Sequence, residues 1–452
     1  MNIAEALRCG PGIKMAAVGA GGKSSLLFTL SRQIPGKVIV TTTTHFGIEQ
    51  LSLGDLHFTD ADESLIDKIH AAPDDSIIVI SGNHAQKERI NGPSTENLEK
   101  IKSACEEKGY TLLVEADGSR KLPLKTYGEN EPVIPAWIDL VVFVVGCSAI
   151  GKPLDDEHVF RAGIFAAISE TYLGETVQVQ AICRILLHPK GGLKHQAAYR
   201  RSAVLFNQAD QLSQENRNAI ELEKDNLLEY HDAVLIASVK PGSEEYKQDI
   251  QCYERLAAVI LAAGESARLG YPKQLLPYHG VSFLRSTTLK ALESGVTQVY
   301  VVLGYKAEQM HHEVADLPVT ILQNKAWASG QSSSVKLALS EIQSHGRTGG
   351  ILFLAVDQPF LTTETLKGLI TLHASHYGTT IVPVHAGQPG SPVLFDCAHF
   401  GQLAAISGDK GGRSILKDIQ TTTYTVQDEK ELLDIDTMEL YQTHIHEMDF
   451  PE

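Results

Sequence analysis

Positive charge is scarce in this chain. Its 452 residues carry 39 Lys and Arg against 55 Asp and Glu, which gives a formal net charge of −16 at pH 7. Such an acidic protein repels the phosphates of nucleic acids and the headgroups of anionic membranes. We therefore expect no nucleic-acid or membrane partner. Binding of anionic small molecules would require basic residues that are concentrated locally.

The sequence also has no long apolar run, no signal-peptide pattern in residues 1–10 and no closely paired cysteines. No stretch reaches the roughly 18 consecutive apolar residues that a membrane-spanning helix needs, and residues 1–10 lack the basic and apolar regions of a signal peptide. The six cysteines are scattered and form no Cys-x-x-Cys pair, which favours reduced thiols over disulfides or a zinc site. These features predict a cytoplasmic protein.

The length and the apolar pattern predict two α/β domains. The chain is too long for one core, and its hydrophobic content of 43% suffices for two. Strand-like apolar runs, such as residues 299–303 and 351–356, alternate with helical stretches through both halves. This alternation predicts two doubly wound, mostly parallel-sheet domains. We place them at residues 1–245 and 256–452, and we interpret residues 246–255 as a short charged connector.

A glycine loop with two cations follows the apolar run at residues 256–263. The run is typical of a buried parallel strand, and we expect Gly264 and Gly270 to permit a backbone path that side chains would block, so that loop amides can face phosphate oxygens. Arg268 and Lys273 add the positive charge that a nucleoside triphosphate requires. The glycines alone are equally compatible with an ordinary strand-to-helix turn.

Two further segments of the C-terminal half carry suitable polar groups. The apolar run at residues 351–356 ends in Asp357, and a carboxylate at the carboxyl end of a strand suits Mg²⁺. Residues 324–334 combine amide, hydroxyl and glycine groups, including Gly330 and Ser332. That combination is typical of a loop that binds a base or ribose, or of a turn followed by a helix N-cap.

In this order, the three segments resemble the MobA-like nucleotidyltransferases, the family that completes the molybdenum cofactor. Further matching pieces lie at residues 387–395, 408–413 and 434–437, so the resemblance covers about residues 256–445. It implies a Rossmann-like nucleotidyltransferase domain. Residues 262–264, Ala-Ala-Gly, are similar to the cytidylyl branch, whereas guanylyl relatives tend to have Gly-Gly at the last two positions. The resemblance therefore favours CTP over GTP.

The resemblance also implies a reaction and a set of site residues. The terminal phosphate of molybdopterin, in its molybdenum-loaded form, would attack the α-phosphorus of CTP and release pyrophosphate, with positioning and electrostatics supplying the catalysis. Lys273, Arg268 and Asp357 are the implied catalytic residues, with Asp357 as a Mg²⁺ ligand. The implied nucleotide-binding residues of this half are Ala262, Ala263, Gly264, Arg268, Lys273, Gly330 and Ser332.

Asp436 is a candidate for a second metal or substrate contact. The family motif has an acid at this position. A structural explanation is nearly as good, because Asp436 could be an acidic cap before a helical stretch that begins near Met438. Ser391 departs from the family pattern, which often has histidine there, so its side chain is given no role.

The N-terminal half opens with an incomplete phosphate-binding loop. A predicted strand leads through glycines to a lysine, a serine and a helix, an arrangement that can bind phosphate and Mg²⁺. The candidate residues are Gly19, Gly21, Gly22, Lys23 and Ser24. The literal motif fails because Ala17 stands where it has glycine. We predict a P-loop-like domain that binds a nucleotide, with a ligand-free glycine turn as the alternative.

Asp117, after the apolar strand at residues 110–114, is the candidate metal ligand or water-orienting acid of this half. Residues 207–210 resemble the Asn-Lys-x-Asp base-reading motif of GTPases, but Gln208 replaces the lysine, which argues against guanine. With residues 115–125 and 146–154, these features resemble the YqeC family of accessory proteins for selenium-dependent hydroxylases, over about residues 1–240.

The two resemblances together imply a fused enzyme. The C-terminal domain would cytidylylate molybdopterin, while the N-terminal domain would dock on a molybdenum hydroxylase, such as a selenium-dependent one, and assist its maturation. Two other classes remain open on the sequence. One is a different nucleotidyltransferase, acting on a sugar phosphate or with GTP. The other is a non-catalytic carrier or chaperone that binds nucleotide and pterin and docks on an apo-hydroxylase.

Overall fold

A computed structural model describes residues 1–83, 85–86, 88–194, 201–240, 250–266, 269–344 and 348–445, and of residues 85 and 86 it describes the backbone only. The chain divides into two compact units, Met1–Tyr253 and Glu254–Glu452, called here the N-terminal and the C-terminal unit.

The N-terminal unit is an α/β structure. Its strands are β1 (Lys14–Gly19), β2 (Val38–Thr42), β3 (His45–Gly47), β4 (Leu56–Thr59), β5 (Ile77–Ser81), β6 (Ala85–Gln86), β7 (Arg89–Asn91), β8 (Thr111–Glu115), β9 (Leu124–Lys125), β10 (Leu140–Gly146), β11 (Val159–Phe160), β12 (Arg201–Asn207), β13 (Ala233–Ile236) and β14 (Gln251–Glu254). Its helices are α1 (Ile3–Ala6), α2 (Lys23–Gln33), α3 (Leu65–Ala71), α4 (Thr95–Lys108), α5 (Ala162–Ser169), α6 (Val179–Leu186) and α7 (Gln214–Leu228).

One large sheet organises this unit, in the order β14-β13-β12-β10-β1-β8-β2-β5-β4. From β13 to β4 the neighbouring strands are parallel. Every residue of β2, β5, β8 and β10 is buried, which explains why these strands appear in the sequence as continuous apolar runs rather than as alternating patterns. Because the strands are parallel, the loops that follow β1, β8, β10 and β12 emerge at one edge.

The C-terminal unit is also α/β. Its strands are β15 (Leu256–Ala262), β16 (Pro277–Tyr278), β17 (Val281–Ser282), β18 (Gln298–Leu303), β19 (Thr320–Gln323), β20 (Gly350–Ala355), β21 (Thr380–His385), β22 (Gln388–Pro389), β23 (Val393–Asp396) and β24 (Thr421–Thr425). Its helices are α8 (Phe283–Glu293), α9 (Ala307–His311), α10 (Gln331–Ser344), α11 (Thr363–His373), α12 (Phe400–Ala405) and α13 (Met438–His444).

The main sheet of this unit has the order β19-β18-β15-β20-β23-β21-β22, and β24 pairs with β21. Strands β19, β18, β15 and β20 are parallel, whereas β23 runs antiparallel to both of its neighbours. Separate hydrophobic clusters pack against the sheet, one containing Leu284 and Leu366 of α8 and α11, the other Val335 and Leu403 of α10 and α12. The predicted α/β class with mostly parallel sheets is confirmed in both units, and the C-terminal unit is Rossmann-like.

One expectation about the join is wrong. Residues 246–255 were expected to be a connector, but Gln251–Glu254 form strand β14 beside β13. Cys252 is wholly buried there, and its thiol donates to the carbonyl oxygen of Ala6 at 3.6 Å. Residues 241–249 lie outside the described residues.

Within the described part of the chain, no helix is long and apolar enough to cross a membrane.

The central strand β10 generates a test of this architecture. Phe143 is 1% exposed in β10, so Phe143→Ala should lower the free energy of unfolding of the N-terminal unit by about 3–5 kcal/mol through lost burial and a cavity. The chain has only two tryptophans, and Trp137 packs against the N-terminal core. Urea unfolding monitored by Trp137 fluorescence in a Trp327→Phe background measures this unit alone.

Leu222→Ala is the matched control for that prediction. Leu222 on α7 is 80% exposed, so its removal should change the free energy of unfolding by less than about 0.5 kcal/mol. Equal effects of the two substitutions would contradict the assignment of β10 to the core.

Candidate functional sites

The predicted triphosphate loop and Asp357 lie at one edge of the C-terminal sheet. Strands β15 and β20 are adjacent and parallel, with Leu261 opposite Ala355, so both chains leave the sheet at the same carboxyl edge. Ligands of open α/β sheets bind outside this edge. Lys273 returns to it in a short 3-10 turn, Lys273–Leu275.

Lys273 lies between two carboxylates. Its ammonium makes a short ion pair with Asp357 Oδ2, and Asp436 Oδ1 lies 3.3 Å from Nζ. The side chains of Lys273 and Asp357 are 20% and 13% exposed, whereas Asp436 is 46% exposed. Burial opposes the charge on Lys273, but Asp357 and then Asp436 outweigh that effect and raise the pKa of the ammonium. Lys273 is therefore a permanent cation at this edge.

Asp436 is not the cap of the last helix. Thr437 is the N-cap of α13, and its hydroxyl accepts from the N–H of Leu440 at 3.2 Å. The structural explanation for Asp436 is therefore wrong. The segment is attached to the site by its backbone, because the N–H of Ile435 donates to the carbonyl oxygen of Asp357 at 2.8 Å. Asp434 adds a third carboxylate, and the charges of Asp357 and Asp436 act on it.

The metal-binding capacity of this cluster can be assessed from its oxygens. Asp357 Oδ1 is buried and has no hydrogen-bond partner in the described part of the chain, while its Oδ2 and Asp436 Oδ1 converge on one ammonium. Among the described residues, no three His, Cys, Asp or Glu side chains form a complete metal cage. Mg²⁺ typically takes one or two protein carboxylates and completes its shell with phosphate and water. The two carboxylates fit such a partial site.

Gln274 fixes the glycine loop, and sequence reasoning missed it. Its side chain is 1% exposed, and Nε2 donates to the carbonyl oxygens of Ala262 at 3.1 Å and Gly264 at 2.8 Å. Its Oε1 accepts from the Ser266 hydroxyl at 3.3 Å, and Ser266 Oγ accepts from the N–H of Lys273 at 3.2 Å. The only sequence signal was an amide side chain directly after Lys273. Gln274 thus joins the loop to the segment that carries the lysine.

The loop residues occupy different environments. Ala262 ends β15 and is wholly buried, and the carbonyl oxygen of Ala263 accepts from the N–H of Tyr305 at 3.0 Å. Gly264 is exposed, its φ is not positive, and an added Cβ would meet no atom within 4 Å. The expectation that a side chain would block the path at Gly264 is wrong, because the space beside this residue is open. Arg268 lies outside the described residues, so its predicted triphosphate contact stays a prediction.

The polar segment at residues 324–334 lies beside the same edge. Gly304 follows β18, and an added Cβ there would lie 2.6 Å from Trp327 Cβ and 2.7 Å from the carbonyl oxygen of Ala263. The segment forms a 3-10 turn, Trp327–Ser329, followed by α10, so the expected turn and helix are confirmed. Its Asn324 Nδ2 donates to Ser333 Oγ at 2.8 Å.

Gly330 and Ser332 pack this segment against the loop at residues 408–409. Gly330 has a φ of 107°, and an added Cβ would lie 2.5 Å from the Gly408 carbonyl group, so only glycine fits. Ser332 is 5% exposed, and its N–H donates to the Gly408 carbonyl oxygen at 3.2 Å. Both residues therefore have structural roles here, and their nucleotide contacts stay predictions.

A second lysine and carboxylate cluster occurs in the N-terminal unit. Strands β1 and β8 are adjacent and parallel, which brings the loop after Gly19 beside Glu115 and Asp117. Lys23 Nζ lies 3.1 Å from Asp117 Oδ1 and 3.7 Å from Glu115 Oε1, and it donates to the Gly19 carbonyl oxygen at 2.7 Å. The Gly19 N–H donates to Asp117 Oδ2 at 2.8 Å. The structure thus brings together the predicted residues of this half.

Burial sets the electrostatics of this cluster. The side chains of Lys23, Glu115 and Asp117 are 3%, 9% and 0% exposed. Burial raises the pKa of Glu115. Burial also opposes the charge of Lys23, but Asp117 and then Glu115 outweigh it and raise the pKa of the ammonium. Ser24 Oγ donates to Glu115 Oε2 at 3.0 Å and accepts a short hydrogen bond from Gln50.

The loop itself is held by close backbone contacts. Gly21 has a φ of 83°, and an added Cβ would lie 2.2 Å from the Cα of Gly146 in β10, so a larger residue would displace the loop. Asn207 ends β12, donates to the Gly21 carbonyl oxygen at 2.8 Å, and accepts from the Val239 N–H at 2.8 Å. The Asn of the motif at residues 207–210 therefore bridges the loop and the segment after β13.

An ion chain leads from this cluster to Arg161. Lys125 Nζ lies 3.1 Å from Asp117 Oδ2 and 2.8 Å from Glu131 Oε2, and Arg161 donates to the same Glu131 oxygen at 2.6 Å. Partial burial opposes ionisation of Glu131, but hydrogen bonds from Arg161 and then Lys125 outweigh it and lower the pKa of Glu131 to about 2. Sequence reasoning missed these ion pairs, in which Glu131 is 6 residues from Lys125 and 30 residues from Arg161.

Family models match the two halves separately. Residues 15–163 match the YqeC protein family, and residues 258–424 match the MobA-like NTP transferase domain. The chain therefore belongs to both families, with the C-terminal unit carrying the nucleotidyltransferase fold and the site around Lys273. The resemblances inferred from the motifs are confirmed.

Three relatives illustrate the two memberships. The YqeC protein of Escherichia coli is 31% identical over 186 residues, which cover 40% of this chain and 70% of that protein. Molybdenum cofactor cytidylyltransferase of E. coli is 28% identical over 180 residues, covering 40% and 90%. Nicotine blue oxidoreductase of Paenarthrobacter nicotinovorans is 30% identical over 203 residues, covering 42% and 95%. The last two relatives are named for different activities, so similarity alone does not identify the substrates of this chain.

The ion chain generates a pH prediction. About a fifth of the Glu131 side chain is exposed, and water screens part of the stabilisation that its lowered pKa represents. We therefore expect Glu131→Gln to lower the free energy of unfolding by about 1–2 kcal/mol at neutral pH. Because the pKa of Glu131 is lowered, this stabilisation exists above the ordinary glutamate pKa of about 4.3 and is lost as the pH falls towards about 2.

Urea unfolding of both proteins from about pH 6 to pH 3 measures the effect, with Trp137 fluorescence in the Trp327→Phe background. The difference should shrink steadily towards the lower pH. Glu129→Gln, an exposed glutamate two positions away, is the control and should show no such trend. A difference that is independent of pH would contradict the ionised Glu131 bridge.

Proposed function

We propose that the C-terminal unit transfers CMP from CTP to molybdopterin, preferably in its molybdenum-loaded form, and releases pyrophosphate. The observation that carries this proposal is the Lys273 ammonium held between Asp357 and Asp436 at the carboxyl edge of the sheet. Nucleotidyl transfer requires a cation for the triphosphate and carboxylates for a divalent ion in one place, and this cluster supplies both.

Lys273 acts on the triphosphate in this proposal. A phosphate oxygen of molybdopterin attacks the α-phosphorus of CTP, the bond between the α-phosphorus and the bridging oxygen to the β-phosphate breaks, and pyrophosphate leaves with that electron pair. Negative charge grows on the leaving group, and an ammonium fixed beside it lowers the barrier. Lys273 and Arg268 are the residues that we assign to this charge. No covalent intermediate with the protein is needed.

Asp357 and Asp436 would hold Mg²⁺. When bound, this ion neutralises triphosphate oxygens and stabilises the leaving pyrophosphate. In this structure the two carboxylates share the Lys273 ammonium. When Mg²⁺ and the nucleotide bind, the ammonium would move from the carboxylates to the phosphate oxygens. Gln274 fixes the glycine loop relative to the adjacent Lys273, because its side chain donates hydrogen bonds to the carbonyl oxygens of Ala262 and Gly264.

CTP is favoured over GTP for two reasons. Residues 262–264 have the Ala-Ala-Gly pattern of the cytidylyl branch, and a relative covered over 90% of its length is a molybdenum cofactor cytidylyltransferase. We assign recognition of the nucleoside to the segment at residues 324–334, which lies beside Ala263 and contains Gly330 and Ser332.

The N-terminal unit would assist the enzyme that receives the cofactor. Its YqeC membership supports an accessory role towards a molybdenum hydroxylase, for which a selenium-dependent enzyme is the candidate. Co-purification of a tagged full-length chain with the hydroxylase expressed beside it tests this part separately. Recovery of the hydroxylase with residues 254–452 alone would assign docking to the other unit.

Substitutions at the cluster test the transferase. Lys273→Met and Asp357→Asn should each reduce pyrophosphate release from CTP, Mg²⁺ and molybdopterin by about 100- to 1,000-fold, because the first removes the cation beside the triphosphate and the second weakens the Mg²⁺ site. Initial rates at saturating CTP measure the loss, with GTP assayed in parallel. The rate with CTP should exceed that with GTP for the unsubstituted chain.

Asp316→Asn is the matched control. Asp316 is 62% exposed and pairs with Arg285 at 2.7 Å on the surface of the same unit, so its loss removes an equal charge outside the proposed site. Its rate should stay within about twofold of the unsubstituted chain. Retention of the full rate in Lys273→Met, or equal losses in all three variants, would contradict the assignment.

A further inference from the structure

A cavity of about 850 Å³ opens in the N-terminal unit beside the loop between β1 and α2. Its lining includes the Gly21 and Gly22 backbone, Lys23, Ser24, Glu115 and Arg161. None of these residues takes part in the proposed transferase. We propose that this cavity binds the triphosphate of a nucleotide together with a divalent cation, as a second nucleotide site in the same chain.

Charge distinguishes this cavity from the rest of the acidic chain. Its lining contains five cationic side chains, Lys23, Arg89, Arg120, Lys121 and Arg161, against four carboxylates, Glu49, Glu88, Glu115 and Glu131. The chain as a whole has a formal net charge of −16. Positive charge is therefore concentrated in this cavity relative to the chain as a whole, and such a cavity suits a polyanionic ligand.

Arg120 and Lys121 form one wall of the cavity. Both residues have positive φ values, 53° and 64°, in the turn that follows β8. Lys121 Nζ lies 2.9 Å from Glu49 Oε1, while the Arg120 guanidinium stacks over the Phe160 ring at 4.7 Å. Both groups are at the surface, so they can turn towards a ligand.

Backbone donors converge on the same space. Gly22 is the N-cap residue of the 11-residue helix α2, and no side chain caps this end. The first N–H groups of a helix have no partner within it, and they carry a partial positive charge that favours phosphate. Gly21 and Gly22 both line the cavity, so this end of the helix borders the space that a ligand would fill.

A buried acid supplies an independent indication of a missing cation. Asp117 is 0% exposed, and its Oδ1 accepts no hydrogen bond in the described part of the chain, although Lys23 Nζ lies 3.1 Å away as an ion pair. Glu115 is 7% exposed and lines the cavity beside Ser24. Lys125 and the Gly19 N–H satisfy Asp117 Oδ2, so Asp117 Oδ1 and Glu115 depend mainly on Lys23. Buried carboxylates that share one ammonium are expensive in free energy, and a divalent ion would satisfy them better.

Binding would therefore exchange partners. The Lys23 ammonium, a flexible point charge, turns from Asp117 and Glu115 to phosphate oxygens. Glu115 and the Ser24 hydroxyl, which line the cavity, then face the cation that enters with the triphosphate, and the charge of this cation compensates the buried Asp117 once Lys23 has moved. The cavity volume lies in the range of small-molecule sites, about 300–1,000 Å³, so it can accommodate a whole nucleotide.

The test uses the full-length chain in a Lys273→Met background, which weakens the site of the C-terminal unit. Isothermal titration with Mg²⁺ and non-hydrolysable ATP, GTP and CTP analogues, or with inorganic tripolyphosphate, identifies the ligand. We expect one equivalent of at least one nucleotide analogue to bind. Adding Lys23→Met should weaken that binding at least about tenfold, a loss of about 1.4 kcal/mol.

Lys37→Met in the same background is the matched control. Lys37 is equally buried at 4% exposure, but its ammonium donates to the carbonyl oxygens of Ile69 and His70 and lies outside the cavity lining. Its loss should leave the nucleotide affinity unchanged. If Lys23→Met fails to fold, Arg120→Ala removes an exposed cation from the cavity and should weaken binding at least about threefold.

A photoreactive analogue of the bound nucleotide then locates the ligand. Cross-linked peptides should come from residues 1–253 in the Lys273→Met chain, and this labelling should disappear with excess unlabelled nucleotide. The proposal is overturned if no nucleotide binds in this background, if only tripolyphosphate binds, or if labelling falls within residues 254–452. The assay uses no molybdopterin, so its failure would leave the transferase proposal standing.

Discussion

A lysine ammonium held between carboxylates, at the carboxyl edge of a parallel sheet, recurs in both halves of the chain. Lys273 lies between Asp357 and Asp436 in one unit, and Lys23 lies between Asp117 and Glu115 in the other. In each case an apolar central strand delivers the glycine loop and a neighbouring parallel strand delivers an acid. Without ligand, each lysine compensates acids that would otherwise repel one another. In both proposals, a divalent cation would take over this compensation and leave the lysine to phosphate.

The surroundings of the two lysines differ in a way that suits different roles. Lys273 and Asp436 remain partly exposed, at 20% and 46%, which would let an acceptor substrate reach the proposed nucleotide site from solvent. Lys23 and Asp117 are almost wholly buried, and the ion chain through Lys125 to Glu131 extends from them. Breaking a buried pair costs several kcal/mol. A substitution in the N-terminal cluster is therefore expected to cost more stability than one in the cluster around Lys273.

Much of the fold could be predicted because buried parallel strands appear as continuous apolar runs, as in β10 and β20. The same apolar runs predicted acids at the carboxyl ends of the strands. Asp357 and Asp117 were identified in this way, and each lies beside a lysine in the structure. Strand β14 could not be predicted, because its residues, Gln-Cys-Tyr-Glu, have no continuous apolar run and pair only through tertiary contact. The role of Gln274 also escaped prediction, since its partners depend on the path of the loop. The Glu131 ion chain joins residues too far apart in sequence for any local pattern to indicate it.

The most direct measurement of the central claim is the identity of the product. Full-length chain incubated with Mg²⁺, molybdenum-loaded molybdopterin and an equimolar mixture of CTP and GTP should yield, by mass spectrometry, a pterin dinucleotide that contains CMP. Label from CTP carrying a radioactive α-phosphate should appear in that product and not in pyrophosphate. A guanine dinucleotide, or transfer of CMP to a sugar phosphate but not to the pterin, would contradict the account.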